Sequence, residues 1–282
     1  MPALWMIIAS FLFACMGVCV KLGAARFSTG ELVFYRGFIS LLMMLVAARA
    51  AKVSLRTPHW RMQLSRSVSG SIALMCYFFA IGLLPLATAA TLSYTSPIFV
   101  AILLVLLFGE RLRPSAALAV LIGFAGVVLL LRPTLQPGQW LGAVVGLGAG
   151  LIASLAYISV RELGKAGEPE IRTVFWFSTV TTALGAGWAL ADALHLPDGE
   201  GLAILIGVGL FGGLAQLAMT RSYRLGKTVV SAAFSYSTVI FASLFGMLIW
   251  DETLPLSAWL AIGLIIASGI AVSLASRTRA SD

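Results

Sequence analysis

Charge is what this chain of 282 residues lacks most. Only 11% of it is Asp, Glu, Lys or Arg, against about a quarter in an ordinary soluble domain. That scarcity excludes a soluble globular protein. Histidine is nearly absent as well. His59 and His195 fall in expected loops, far from any cysteine or paired carboxylate, and form no metal pattern. Cys15, Cys19 and Cys76 all lie in apolar runs, where thiols behave as small buried hydrophobes and build no disulfide frame. The motifs of a membrane enzyme are missing too: there is no H-E-x-x-H, no G-x-S-x-G and no intramembrane Asp or His pair. No metal and no cofactor is expected.

What is present is apolar. Hydrophobic residues make up 60% of the chain and the mean hydropathy is +1.00. The runs predict ten spans, near Ala3–Val20, Leu32–Ala48, Ser67–Leu84, Ala87–Phe108, Ala116–Leu131, Leu141–Val160, Val174–Ala191, Leu202–Thr220, Val229–Trp250 and Leu256–Ala275. The first is not preceded by Lys or Arg, unlike a signal peptide. The net charge of +8 is unevenly spread. With the N-terminus in the cytoplasm, fifteen Lys and Arg fall on inside loops and the tail, and only Lys21, Arg26, Arg36 and Arg132 fall outside. Both termini are therefore expected in the cytoplasm. The basic excess reads as an insertion signal touching lipid, not as a nucleic-acid surface.

The stretch from Pro85 to Glu110 returns 142 residues later as Thr228 to Glu252. Without a gap, Ser93 meets Ser235, Tyr94 meets Tyr236 and Glu110 meets Glu252. Such a repeat predicts an internal duplication, with a first half over 1–135 and a second over 136–282. Pro97 must bend the fourth span, because it cannot donate to the carbonyl of Ser93. The freed carbonyl and the hydroxyls of Ser93, Tyr94, Thr95 and Ser96 are tolerable at bilayer depth only if they face protein or water. Five spans per half would thread the second copy upside down. The expected fold is thus an all-α polytopic membrane protein, ten transmembrane helices in two inverted five-helix repeats, an arrangement suited to alternating access. Gly142, Gly146, Gly150 and Ser154, and again Gly209 and Gly213, form ridges that let helices approach.

The chain resembles the EamA-type, ten-helix branch of the drug/metabolite transporter superfamily. The likeness is carried by ELVFYRGF around Arg36, YFFAIGLLPLATAATLSYTSPIF at Tyr77–Phe99, FGERLRP at Phe108–Pro114, GFAGVVLL at Gly123–Leu130 and WDETLP at Trp250–Pro255. It implies two inverted bundles around a central cavity that moves amino acids, related metabolites, vitamins or nucleotide derivatives. The second half departs from the first in having Ser178 opposite Arg36 and Val239 opposite Pro97.

Tyr77, Ser93, Tyr94, Pro97, Tyr157, Trp176, Gln216, Ser235 and Tyr236 are the candidate substrate-binding residues, because they combine hydroxyl, amide and aromatic groups within the spans. Arg36 with Glu252, and Arg172 with Glu110, are candidate gate pairs at the outer and inner faces. Apart from Arg36 near one edge, no Asp, Glu, Lys or Arg lies at the centre of an expected span, so the cavity should suit a neutral or zwitterionic solute. The reading is a monomeric, multi-pass carrier of the bacterial inner membrane. It would export amino acids or related small amphipathic metabolites as a uniporter or exchanger. An importer of a riboflavin-like or adenosyl compound, and broad drug efflux, stay open; a membrane enzyme or a scaffold is the reading from another class.

Overall fold

The computed structural model describes residues 2–191, 197–251, 253 and 255–277, and every regular element among them is helical. In order these are α1 (Pro2–Gly23), α2 (Thr29–Ala50), α3 (Trp60–Leu83), α4 (Leu86–Ser93), α5 (Ser96–Phe108) and α6 (Pro114–Leu131). They are followed by α7 (Trp140–Lys165), α8 (Glu170–Ala191), α9 (Gly199–Leu225), α10 (Thr228–Phe234), α11 (Ser237–Trp250) and α12 (Leu256–Arg277). With α4–α5 and α10–α11 each taken as one broken span, ten segments among the described residues are long and apolar enough to cross a membrane. Two boundaries differ from the sequence reading in ways that matter. Helix α3 begins at Trp60 rather than Ser67, and α9 runs on to Leu225.

The helix ends are set by local chemistry. Ser28 and Glu31 form a reciprocal capping box at α2, with Ser28 N donating to Glu31 Oε2 at 2.7 Å. Asp198 caps α9 by accepting from Gly201 N at 2.7 Å. Helices α5 and α11 both stop at a left-handed residue, Gly109 (φ 62°) and Asp251 (φ 51°). These two positions are 142 residues apart, as are the starts of α4 and α10 and those of α6 and α12. The duplication thus persists in the backbone where the side chains have diverged.

Packing follows the same relation. The most extensive contacts are α1 on α9, α2 on α8, α3 on α7 and α6 on α12. Exchanging the two halves turns the first of these into the third and leaves the other two unchanged, as a two-fold relation requires. Close approach is bought by small residues: a Cβ on Gly150 would lie 2.5 Å from Thr95 Oγ1 and 3.0 Å from the Leu92 carbonyl oxygen. The outer surface is apolar, with Leu106, Leu248 and Leu256 each more than 70% exposed. Such a surface would associate in water and is at home in lipid. Ser, Thr, Gln and Arg side chains are buried instead: Ser71 Oγ meets Thr181 Oγ1 at 2.8 Å, and Ser40 Oγ donates to the Gly209 carbonyl at 2.9 Å.

Candidate functional site

Both broken spans tighten into a 3₁₀-like turn at their break. In the first, the amides of Thr95 and Ile98 donate three residues back, to Leu92 and Thr95; in the second, Ser235, Tyr236, Thr238 and Val239 do the same. Hydroxyls satisfy the carbonyls released there. Thr95 Oγ1 donates to the Leu92 oxygen at 2.5 Å, and Ser235 Oγ to the Ala232 oxygen at 2.7 Å. Pro97 sits buried in the first turn of α5. The second break has no proline, so the serine and the turn are enough to interrupt it. The two breaks meet: the Tyr94 and Tyr236 rings are 6.4 Å apart, edge to face. Tyr236 is fully buried with its hydroxyl unpartnered, whereas Tyr94 keeps accessible surface deep in the bundle.

A second cluster adjoins this one. Arg36 of α2 and Arg66 of α3 are 6% and 1% exposed, and both stand over the ring of Phe177 in α8. Their Cζ atoms are 5.6 Å and 4.1 Å from its centroid. Neither makes an ion pair among the described residues; Arg36 Nε meets only Met16 Sδ at 3.4 Å, and Arg66 Nε and Nη1 have no partner. Neither guanidinium snorkels outward. Arg66 Nη1 would lie 3.1 Å from a Cβ on Gly70, one turn further into the membrane, and Arg36 Nε 3.3 Å from one on Gly212, the midpoint of α9. Tyr157 is in electrostatic range of both cations and of Tyr94, and it stacks on Tyr223 at 5.2 Å.

The arrangement is costly as it stands. The distances to the shared ring limit the two guanidinium carbons to a separation of roughly 10 Å. There their repulsion is roughly 2 kcal/mol at an effective dielectric near 20. Each desolvated cation costs several kcal/mol more, of which a cation–π contact returns about 2 kcal/mol. The expectation of a site without charge is therefore corrected. Arg66, one of the fifteen basic residues expected on the inside loops and tail, lies inside α3 and is buried in the bundle interior.

The remaining candidates divide. Tyr77 packs on Ala80, Leu84 and Ala89 and is in electrostatic range of Tyr94; Gln216 is buried in α9. The backbone of Ser93 borders Gly150. Trp176 lies away from the centre, its indole Nε1 donating to the Leu55 carbonyl at 3.3 Å in the α2–α3 connection. The Arg172–Glu110 pairing is not what forms. Glu110 pairs with Arg161, while Arg172 reaches Glu168 at 3.0 Å and the Ser54 carbonyl at 2.6 Å. The reason is geometric, since the α7–α8 connection brings Glu168 one helical turn before Arg172 and leaves Arg161 on α7 to face α5. Glu252, the proposed partner of Arg36, lies outside the described residues, as does His195. Glu31, the nearer acid, is occupied in the α2 cap. No group of three or more metal-ligating side chains occurs among the described residues.

The model of the EamA-like transporter family matches this chain twice, over residues 1–132 and 140–274. The chain belongs to that family. It is 30% identical to the pseudopaline exporter CntI of Pseudomonas aeruginosa over 273 residues, 97% of this chain and 95% of the relative. An uncharacterized transporter of Helicobacter pylori is 28% identical over 277 residues, 95% of this chain and 93% of the relative. A riboflavin transporter of Rhizobium johnstonii is 26% identical over 272 residues, 95% of this chain and 89% of the relative. A solved crystal structure shares the fold with a TM-score of 0.86, covering 98% of each chain at 21% identity. This EamA-like protein is therefore a multi-pass membrane transporter of small molecules and not an enzyme.

Proposed function

We propose that this transporter is an inner-membrane exporter of amino acids or related small amphipathic metabolites, working by alternating access. The observation that carries the reading is the meeting of two broken, repeat-related spans at Tyr94 and Tyr236 in the bundle interior. A break at bilayer depth is tolerable only where it faces protein or water, and a two-fold pair of breaks gives each membrane face a related gate. With five crossings in each half, 1–135 and 136–282 are inverted copies. Rocking one against the other exposes the central residues first to one side, then to the other. The chain acts as a monomer, with both termini in the cytoplasm and no nucleic-acid partner. The exporter among its relatives favours outward movement. Import of a riboflavin-like compound is the second reading, favoured by the stacked Tyr157–Tyr223 pair and the riboflavin transporters among the relatives.

Counterflow into vesicles containing the purified protein tests the proposal. Saturable exchange of labelled amino acids is expected, and saturable exchange of riboflavin alone would favour the second reading. Binding without flux of any solute would overturn the carrier assignment.

A further inference from the structure

We propose that Arg36 and Arg66 are the seat of the cargo's oxyanions, so that the transported molecule is an acid offering a carboxylate or phosphate to each guanidinium. The inference rests on the carrier reading above and names its substrate class. Arg66 is 1% exposed and its Nε and Nη1 have no partner, so the donors of a planar fork are left empty in the bundle interior. Arg36 offers its Nε only to a thioether. The two are carried by α2 and α3, consecutive spans that run in opposite directions. Arg36 follows the start of α2 by about two turns and Arg66 the start of α3 by less than two, so the charges converge from opposite membrane faces on one ring.

Both arginines belong to the first half, while Phe177, Tyr157 and Gly212 belong to the second. The seat is thus built across the boundary that alternating access must open. An arriving oxyanion supplies the counter-ion that none of the described residues offers to either guanidinium. The apolar Phe177 ring that both guanidinium groups face suits the carbon body of an amino-acid derivative bearing more than one acid group. A neutral vitamin would leave both cations uncompensated.

The test is thermal unfolding of the purified full chain in detergent with L-leucine, L-glutamate, citrate, inorganic phosphate or riboflavin, beside the variants Arg66→Met, Arg66→Lys and Arg36→Met. Glutamate or citrate should stabilise the parent more than leucine does. A response to phosphate alone would assign the seat to phosphate esters. Arg66→Met should melt several degrees above the ligand-free parent, because an unpaired buried cation is gone. It should bind the acids at least about tenfold more weakly. Arg66→Lys, retaining the charge without the fork, should fall between. If no acid or phosphate stabilises the parent, or if Arg66→Met melts lower yet still responds fully to acids, the inference fails. Vesicles that still exchange neutral amino acids after both arginines are replaced would then leave the carrier standing without its oxyanion seat; vesicles that move nothing, parent included, would remove the carrier itself.

Discussion

Gly70 measures how little room the buried charge has. A Cβ there would stand 3.1 Å from Arg66 Nη1 and 3.2 Å from the Phe177 ring, closer than an unstrained contact allows. Alanine is the better helix former by roughly 0.5–1 kcal/mol, so Gly70→Ala should not unfold α3. The methyl must instead shift the guanidinium or the Phe177 ring by a few tenths of an ångström. We expect this variant to melt at or above the parent temperature while its transport rate falls at least severalfold. Gly82→Ala, on the same helix with nothing within 4 Å of the added atom, should leave the rate unchanged. Melting curves and initial rates in vesicles check both. Parent-like flux in Gly70→Ala would mean that the position of Arg66 does not matter to the cargo.

At the scale of elements, the breaks in α4–α5 and α10–α11 have unequal causes and the same result. Proline accompanies only the first, while hydroxyl-bonded carbonyls and amides that donate three residues back occur in both. Val239 N already donates to Tyr236 instead of completing an α-helical turn, so Val239→Pro should be mild. Ala242→Pro, inside regular α11, should cost about 3 kcal/mol. Denaturation of the two variants decides the matter, and equal loss would show that α10–α11 is a continuous helix. The runs of apolar residues disclosed the spans and Pro97 disclosed the first break, because composition and short-range spacing are written locally; the second break, where Val239 replaces the proline, came only with the structure. The arginine pair was not so visible. The start of α3, WRMQLSR, reads as a polar loop, and what buries it is contact with α7 and α8 of the other half. One signal was available: Gln63, Ser67 and Ser71 follow at four-residue spacing, as do Arg66 and Gly70, and this stripe continues the helix back to Trp60. The pairing of Glu110 with Arg161 left no such trace, since any basic residue at that face satisfied the sidedness argument.

For the whole molecule, the two faces are fastened at repeat-related positions but with different strength. Arg26 and Glu168 are 142 residues apart, each in the connection between the first two spans of its half. Each reaches the connection between the second and third spans of the other half. Arg26 pairs with Asp198 and Glu200, all exposed, a contact that solvent and salt largely screen. Glu168 is 3% exposed and accepts from Thr57 Oγ1 at 2.5 Å, Gln63 Nε2 at 3.0 Å and Arg172 Nη1 at 3.0 Å. Burial works against its ionised form. The hydrogen bonds from Thr57, Arg172 and Gln63, with the charge of Arg172, outweigh that and hold its carboxyl below the ordinary glutamate range. A depressed folded-state value means the latch is intact at neutral pH and is lost only as pH falls through that lowered value. Of these two contacts among the described residues, the one at Glu168 is thus the more buried and the more fully hydrogen-bonded. Glu168→Gln should raise amide hydrogen exchange across residues 54–63 at neutral pH. Acidification of the parent should do the same only below the usual carboxylate range, and Arg26→Gln should barely alter exchange around residues 198–201. Loosening of the parent between pH 7 and 5 would assign the closure to some other group, because Glu168 keeps its charge throughout that interval.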